Sequence, residues 1–117
     1  MYEILIVGGG PAGLTAAIYA ARAGKHVAVL ERGSTGGQII SAPLVENYPG
    51  IPSVSGTELA RQMTEQACTF GAEIVYTEAV GLEKTSAGFR VLCMDGVREA
   101  KAVILATGAS HRRLGLP

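Results

Sequence analysis

The tightest constraint on this chain is the run Gly8-Gly9-Gly10-Pro11-Ala12-Gly13, because of what stands on either side of it. Before it lies Tyr2-Glu3-Ile4-Leu5-Ile6-Val7, a short apolar run rich in β-branched residues, as a strand buried on both faces needs. After it, residues 14–23 are mostly good helix formers, closed by Gly24. His26-Val27-Ala28-Val29-Leu30 then reads as a second strand, with Glu31 at its end, about twenty residues beyond the turn. Strand, glycine turn, helix, strand and acid in that order predict a dinucleotide-binding βαβ unit.

Each residue type has a physical reason. Gly8 lets the chain leave the strand in a tight turn. Gly10 keeps the backbone bare, so that a pyrophosphate reaches the unpaired N–H groups and positive dipole end of the helix. Gly13, with Ala16, Ala17, Ala20 and Ala21, lets the helix pack close to the strands. Pro11 lacks an N–H, but its fixed φ suits a first helical turn. The Glu31 carboxylate can accept hydrogen bonds from both hydroxyls of a ribose.

At 117 residues the chain holds at most one ordinary domain, small for a complete doubly wound enzyme domain. Ten basic and ten acidic residues give zero formal charge, hence no long-range attraction for nucleic acid or an anionic membrane. No apolar run has the length of a membrane span, and no targeting segment is visible, so a cytoplasmic location is expected. Cys68 and Cys93 form neither a C-x-x-C pair nor a metal cluster; both are expected to be buried, reduced thiols. His26 and His111 have no carboxylate or cysteine nearby in sequence, and non-catalytic roles are expected for both. No catalytic residue and no metal ligand is assigned.

Residues 32–52 form a long irregular stretch, with Gly36-Gly37-Gln38 at its start and Asn47-Tyr48-Pro49-Gly50 near its end. Two readings stay open: a loop bringing bare backbone and amides to a ligand, or a surface excursion punctuated by turns. Ser55-Gly56-Thr57-Glu58 matches a capping box opening a helix, with Leu59, Met63, Ala67 and Phe70 on its core face and Gly71 at its end. Glu73-Ile74-Val75-Tyr76 is expected as a third parallel strand beside the first. Residues 79–84, 89–94 and 97–100 read as three short strands, the last two joined at Asp95-Gly96, a strong hairpin signal. An antiparallel meander thus replaces a crossover helix. Residues 101–106 are expected as a further buried parallel strand, ending in Thr107-Gly108, where α/β sheets place ligands. A basic tail follows, in which Arg112 and Arg113 read as a solvated pair.

Taken together, Gly8-Gly9-Gly10-Pro11-Ala12-Gly13, Gly36-Gly37-Gln38, Glu46-Asn47-Tyr48-Pro49-Gly50 and Ala106-Thr107-Gly108-Ala109 resemble the N-terminal FAD segment of the thioredoxin reductase flavoproteins, over essentially the whole chain. The resemblance implies a Rossmann-like FAD/NAD(P)-binding α/β fold, a parallel sheet plus β-meander, here incomplete. It implies that Gly10, Pro11 and Ala12 line the pyrophosphate and that Glu31 holds the ribose. Gly37, Gln38 and Asn47 would lie along the flavin and ribityl chain. Ala79 would offer adenine a backbone contact, and Thr107 and Gly108 would sit near the cofactor.

In that family the chain leaves the FAD domain at a point resembling Leu114-Gly115-Leu116-Pro117, builds an NADPH domain carrying C-x-x-C, and returns with a Gly-Asp segment. None of these later parts is present, so residues 1–117 are expected to be the first FAD segment of a longer reductase. For that longer protein the resemblance implies FAD and NADPH as cofactors, thioredoxin or a similar dithiol protein as partner, and a homodimer. The chain alone is expected to be inactive, to retain FAD weakly or not at all, and to self-associate through uncovered apolar surface. The alternatives are a stand-alone FAD-binding module, or a segment of a related ferredoxin-NADP reductase or dithiol oxidase.

Overall fold

Strand β1 (Tyr2–Val7) is flanked on both edges, and its neighbours organise the whole sheet. The computed structural model describes residues 1–108; Ala109, His111, Arg112, Arg113 and residues 114–117, which carry several of the expectations above, lie outside the described residues. The six strands stand in the order β3-β2-β1-β6-β5-β4. Helix α1 (Pro11–Arg22) crosses from β1 to β2 (Val27–Glu31), and α2 (Gly56–Thr69) crosses from β2 to β3 (Glu73–Tyr76). Strands β4 (Ala79–Thr85) and β5 (Gly88–Cys93) form the antiparallel meander that leads into β6 (Gly96–Leu105).

Three expectations about the strands need correction. The third strand pairs with β2, Val29 beside Ile74, and not with β1. Same-handed crossovers carry each new parallel strand onward in one direction, which leaves the other edge of β1 to β6. Residues 97–100 and 101–106 do not form two strands but one continuous β6, since no glycine, proline or turn residue separates them. Ala100 is the joint: it pairs with Phe89 of β5 and with Tyr2 of β1. Nor is the parallel part of β6 buried, for Ile104 is 39% and Leu105 64% exposed where pairing with β5 has ended at Ala100 and only β1 lies alongside.

The core lies on both faces of the parallel strands. Ile6, Val27 and Val29 pack with Ala17, Ala21 and Ala67 of the two helices. Leu5, Ala28 and Leu30 pack with Val91, Cys93 and Ala100, so the meander curls over the second face. The apolar β2 run is therefore enclosed on both sides, as its composition requires.

Helix α2 opens at the predicted residue, Ser55, whose hydroxyl accepts from Glu58 N at 3.1 Å. The reciprocal half of the capping box does not form, because the Glu58 carboxylate is taken by Arg61 (2.6 Å) and Gln62 (3.0 Å). Leu59, Met63 and Ala67 are buried as expected, but Phe70 is 43% exposed, just past the last turn, with the Arg22 guanidinium 5.6 Å over its ring. Cys68 is also exposed, against expectation, since it falls on the outer side of this helix; Cys93 is buried.

Residues 32–52 are not a loose excursion. Ile39, Val45, Ile51 and Val54 pack against Leu14, Leu59 and Met63. Val45 and Val54 exchange backbone hydrogen bonds of 2.7 and 3.1 Å, and the Pro49-Gly50 turn closes with Ile51 N donating to Tyr48 O. Gly50 takes φ +90°, as the second central residue of a type II turn must.

Candidate cofactor site

The carboxyl ends of β1, β2 and β6 meet at one edge of the sheet, where β1 has β2 on one side and β6 on the other. Open α/β sheets bind ligands at such a switch point. A cavity of about 460 Å³ opens there, within the size range of small-molecule sites. Its first wall is the glycine turn. Gly8 has φ +110° and donates its N–H to Leu30 O at 2.9 Å. A Cβ on Gly8 would lie 2.0 Å from Ala106 O, and one on Gly13 would lie 1.9 Å from Gly8 O. These two glycines are required by the protein's own packing.

Gly10 is different. Its φ of −79° suits any residue, and an added Cβ would meet nothing closer than Gly37 Cα at 3.7 Å. Its bareness serves neither the fold nor the turn, and it faces the cavity. Pro11 is the first residue of α1, one turn earlier than the helix-forming run suggests, with Gly10 as N-cap. The N–H groups of Ala12 and Gly13 thus belong to the first turn, where no earlier carbonyl is available to them.

Glu31 is fixed by the backbone around it. Gly9 N donates to Oε1 at 2.8 Å and Gly33 N to Oε2 at 2.7 Å. Each oxygen keeps acceptor capacity for a further donor from the cavity. The far wall comes from two distant segments. Gly36, at φ +105°, donates to Gly9 O at 2.7 Å, which carries Gly37 and Gln38 to the cavity at the start of a 3₁₀ turn, Gly37–Ser41. The link between β3 and β4 contributes Thr77, Glu78 and Ala79. Thr107 and Gly108 close the cavity beyond β6.

Most of the residues singled out in the sequence therefore come together: Gly8, Gly10, Pro11, Glu31, Gly37, Gln38, Ala79, Thr107 and Gly108 all line this cavity. Ala12 and Gly13 stand just behind it in α1. Asn47 is not brought in; it lies in a separate shallow hollow formed by residues 46–52. The sequence reading missed Gly9 and Gly33 as partners of Glu31; Gly33, two positions beyond the acid, was a visible signal, whereas Gly9 is 22 positions away. It also missed Arg32, Thr77 and Glu78, for which no local pattern exists. At the opposite end of the sheet, His26 Nε2 sits 3.3 Å from Glu73 Oε2, and Tyr2 donates to Glu73 Oε1 at 2.9 Å. Burial, then the Glu73 carboxylate, push the Tyr2 hydroxyl's pKa up. Among the described residues no group of three or more His, Cys, Asp or Glu is placed to hold a metal ion, and no helix is long and apolar enough to cross a membrane.

The sheet order, the packed glycine turn and the backbone-held acid define a Rossmann-like nucleotide-binding domain. The chain belongs to the pyridine nucleotide-disulphide oxidoreductase family, whose sequence model matches residues 2–117. Among curated relatives, the thioredoxin reductase of Treponema pallidum is 44% identical over 117 residues; the match covers 99% of this chain and 38% of that protein. The thioredoxin reductase structure from Streptococcus pyogenes superposes with a TM-score of 0.91 at 47% identity, over 100% of this chain and 38% of that one. A ferredoxin-flavin thioredoxin reductase from Clostridium acetobutylicum gives 0.86 at 31% identity, over 96% and 39%. The chain thus spans well under half the length of the relatives it matches.

Proposed function

We propose that residues 1–117 form the first FAD-binding segment of an NADPH-dependent disulfide reductase of the thioredoxin reductase kind. The observation that carries this reading is the contrast among the glycines. Gly8 and Gly13 are demanded by internal contacts, whereas Gly10 is bare with room around it and turned to the cavity. A ligand that must approach the backbone closely accounts for it, and a pyrophosphate at a helix N-terminus is such a ligand.

The remaining residues fit the same group. The N–H groups of Ala12 and Gly13 face the pyrophosphate beside Gly10 and Pro11. Glu31 accepts from the ribose hydroxyls and repels a 2′-phosphate, so FAD is taken in preference to NADP. Ala79 offers its backbone to adenine. Gly37 and Gln38 run toward the ribityl chain, and Thr107 and Gly108 close over the cofactor. When bound, the flavin supplies a two-electron relay between a nicotinamide and a disulfide. In this reading NADPH, thioredoxin or a similar dithiol partner, and homodimer assembly in the cytoplasm are properties of the longer protein. Cys68 and Cys93 do not supply a dithiol: they lie on α2 and β5, one exposed and one buried. A second reading, with ferredoxin as electron donor, draws on the likeness to the C. acetobutylicum structure.

Titration of the purified chain with FAD and with NADP tests the proposal. FAD is expected to bind more tightly, and Gly10→Val to weaken it at least about tenfold, the loss of roughly one or two charge-assisted hydrogen bonds, with little change in melting temperature. Undiminished FAD affinity in Gly10→Val, or tighter binding of NADP by the unmodified chain, would overturn it.

A further inference from the structure

The link Thr77-Glu78-Ala79 joins the parallel half of the sheet to the meander and lines the cavity together with Glu31 and Arg32. It is tied on one side to β2: Thr77 N donates to Glu31 O at 3.0 Å, and Arg32 Nη1 lies 3.8 Å from Glu78 Oε2. On the other side it is tied to the β5–β6 hairpin. Met94 N donates to Glu78 O at 2.9 Å, and Thr77 Oγ1 donates to Asp95 Oδ1 at 2.7 Å. Arg98 grips the same carboxylate, Nη1 to Oδ1 at 2.8 Å and Nη2 to Oδ2 at 3.2 Å. Guanidinium, carboxylate and hydroxyl thus form a relay from the hairpin to the cavity wall, although Asp95 does not line the cavity itself.

The turn between β5 and β6 is Met94-Asp95, between the paired Cys93 and Gly96 and not at Asp95-Gly96, and it does not itself require this arrangement, since Asn serves such a position as well as Asp. The carboxylate adds a bidentate pair with Arg98. Arg98 first, then Thr77, hold the Asp95 carboxyl far below the ordinary carboxylate range, so it stays ionised. An ionised carboxylate only accepts, so the Thr77 hydroxyl must donate to it. The β-branched Thr77 side chain is stiff about χ1, and fixing its oxygen therefore fixes the backbone that carries it.

We propose that Asp95 is a positioning residue for the adenosine end of the cavity: through the Thr77 hydroxyl it sets where the Thr77-Glu78-Ala79 backbone stands relative to Glu31. The inference rests on the reading of the cavity as an FAD site. Its consequence is that a change at the hairpin tip alters affinity for an adenine nucleotide it never touches.

The test titrates ADP into the purified protein and into Asp95→Asn, Thr77→Val and Thr77→Ser, with Glu83→Gln as a control in a surface ion pair of the same meander. Backbone amide resonances of Glu78 and Ala79 are followed by NMR, and melting temperatures are recorded. Asp95→Asn and Thr77→Val are each expected to weaken ADP binding roughly five- to tenfold, the worth of one positioned hydrogen bond. They are also expected to shift the Glu78 and Ala79 amides before any ADP is added. Thr77→Ser keeps the hydroxyl and is expected to retain affinity within about twofold, and the Asp95→Asn/Thr77→Val double variant to be no weaker than either single, because the two act as one unit. Glu83→Gln is expected to leave ADP binding unchanged. Unaltered ADP affinity in Asp95→Asn and Thr77→Val overturns the inference, as does Thr77→Ser binding as weakly as Thr77→Val. Failure of ADP and FAD to bind even the longer protein that carries these residues removes the FAD reading itself, and the inference with it.

Discussion

The parallel half of the sheet and the meander meet in β6, yet they are held together in different ways. At the centre of the parallel half, in β1 and β2, both faces are closed: Val27 and Val29 meet helices, and Ala28 and Leu30 meet the meander. Backbones there approach until only glycine fits, at Gly8 and Gly13. The meander closes one face only. Val91 and Cys93 point inward, while the outer face carries Arg90 between Glu83 (3.3 Å) and Glu99 (3.8 Å), with Val97 beside them, 56% exposed. At those two glycines the first region tolerates no added atom, whereas the second depends on pairing register. A closed region should therefore fail by overcrowding, and an open one should yield to substitution with little loss.

Gly13→Val puts that difference to its hardest test. Its Cβ would fall on the Gly8 carbonyl, a backbone atom that cannot swing aside, so a loss of about 4 kcal/mol or more is expected in urea unfolding. A midpoint equal to the unmodified protein's would break the contrast. Next in size is a matched pair across the two regions. Leu5→Ala, fully buried where β1 packs under the meander, is expected to cost about 2–5 kcal/mol, whereas Val97→Ala on the meander's outer face should stay within about 0.5 kcal/mol. Equal losses would show that the outer face is covered in solution.

The smallest expected effect concerns acid. Each region has a carboxylate that one arginine holds by both oxygens: Glu58 by Arg61 over α2, Asp95 by Arg98 at the hairpin. Hydrogen bonds from Arg61, then Gln62, lower Glu58 from 4.5 to about 2, and Arg98, then Thr77, hold Asp95 well below the ordinary carboxylate range. Because the folded pKa is depressed, the contribution of Glu58 is fully present above pH 4.5 and is lost as pH falls toward about 2. The pair is solvent-exposed, so the effect is modest. Carboxyl carbon titration by NMR should show both carboxylates protonating below the ordinary range, with the stability gap to Glu58→Gln narrowing as Glu58 does so. A Glu58 that titrates at its ordinary value would mean that the Arg61 grip on the helix does not hold in solution.

What was legible in the sequence follows the same division. The β1 run, the glycine turn, α1, β2 and Glu31 lie within thirty residues, and each signal is local: an apolar run, a bare backbone, good helix formers, an acid at a strand end. The neighbour of β3 was not legible, because it depends on which edge of β1 the distant β6 occupies. The continuity of β6 was legible in principle, since nothing between Glu99 and Ala102 breaks a strand, but the change of pattern at Lys101 suggested a boundary. Gly37 and Gln38 reach the cavity because Gly36 bonds to Gly9 across the chain, whereas Asn47, chemically as suitable, is carried off by its own turn. Thr77 and Asp95 are 18 positions apart and match no motif.

The place of β6 also has a consequence for how the chain is made. Its pairing with β1 joins Tyr2 to Ala100 and Val7 to Leu105, nearly the longest separations the described chain permits. On a ribosome adding about 5–20 residues per second, roughly 5–20 s pass between the emergence of β1 and that of its second neighbour. Through that interval β1, β2 and α1 can assemble, but one edge of an apolar strand stands open, a template for any other extended chain. Of the strands in this sheet, the one made first is therefore the one that waits longest for its second neighbour.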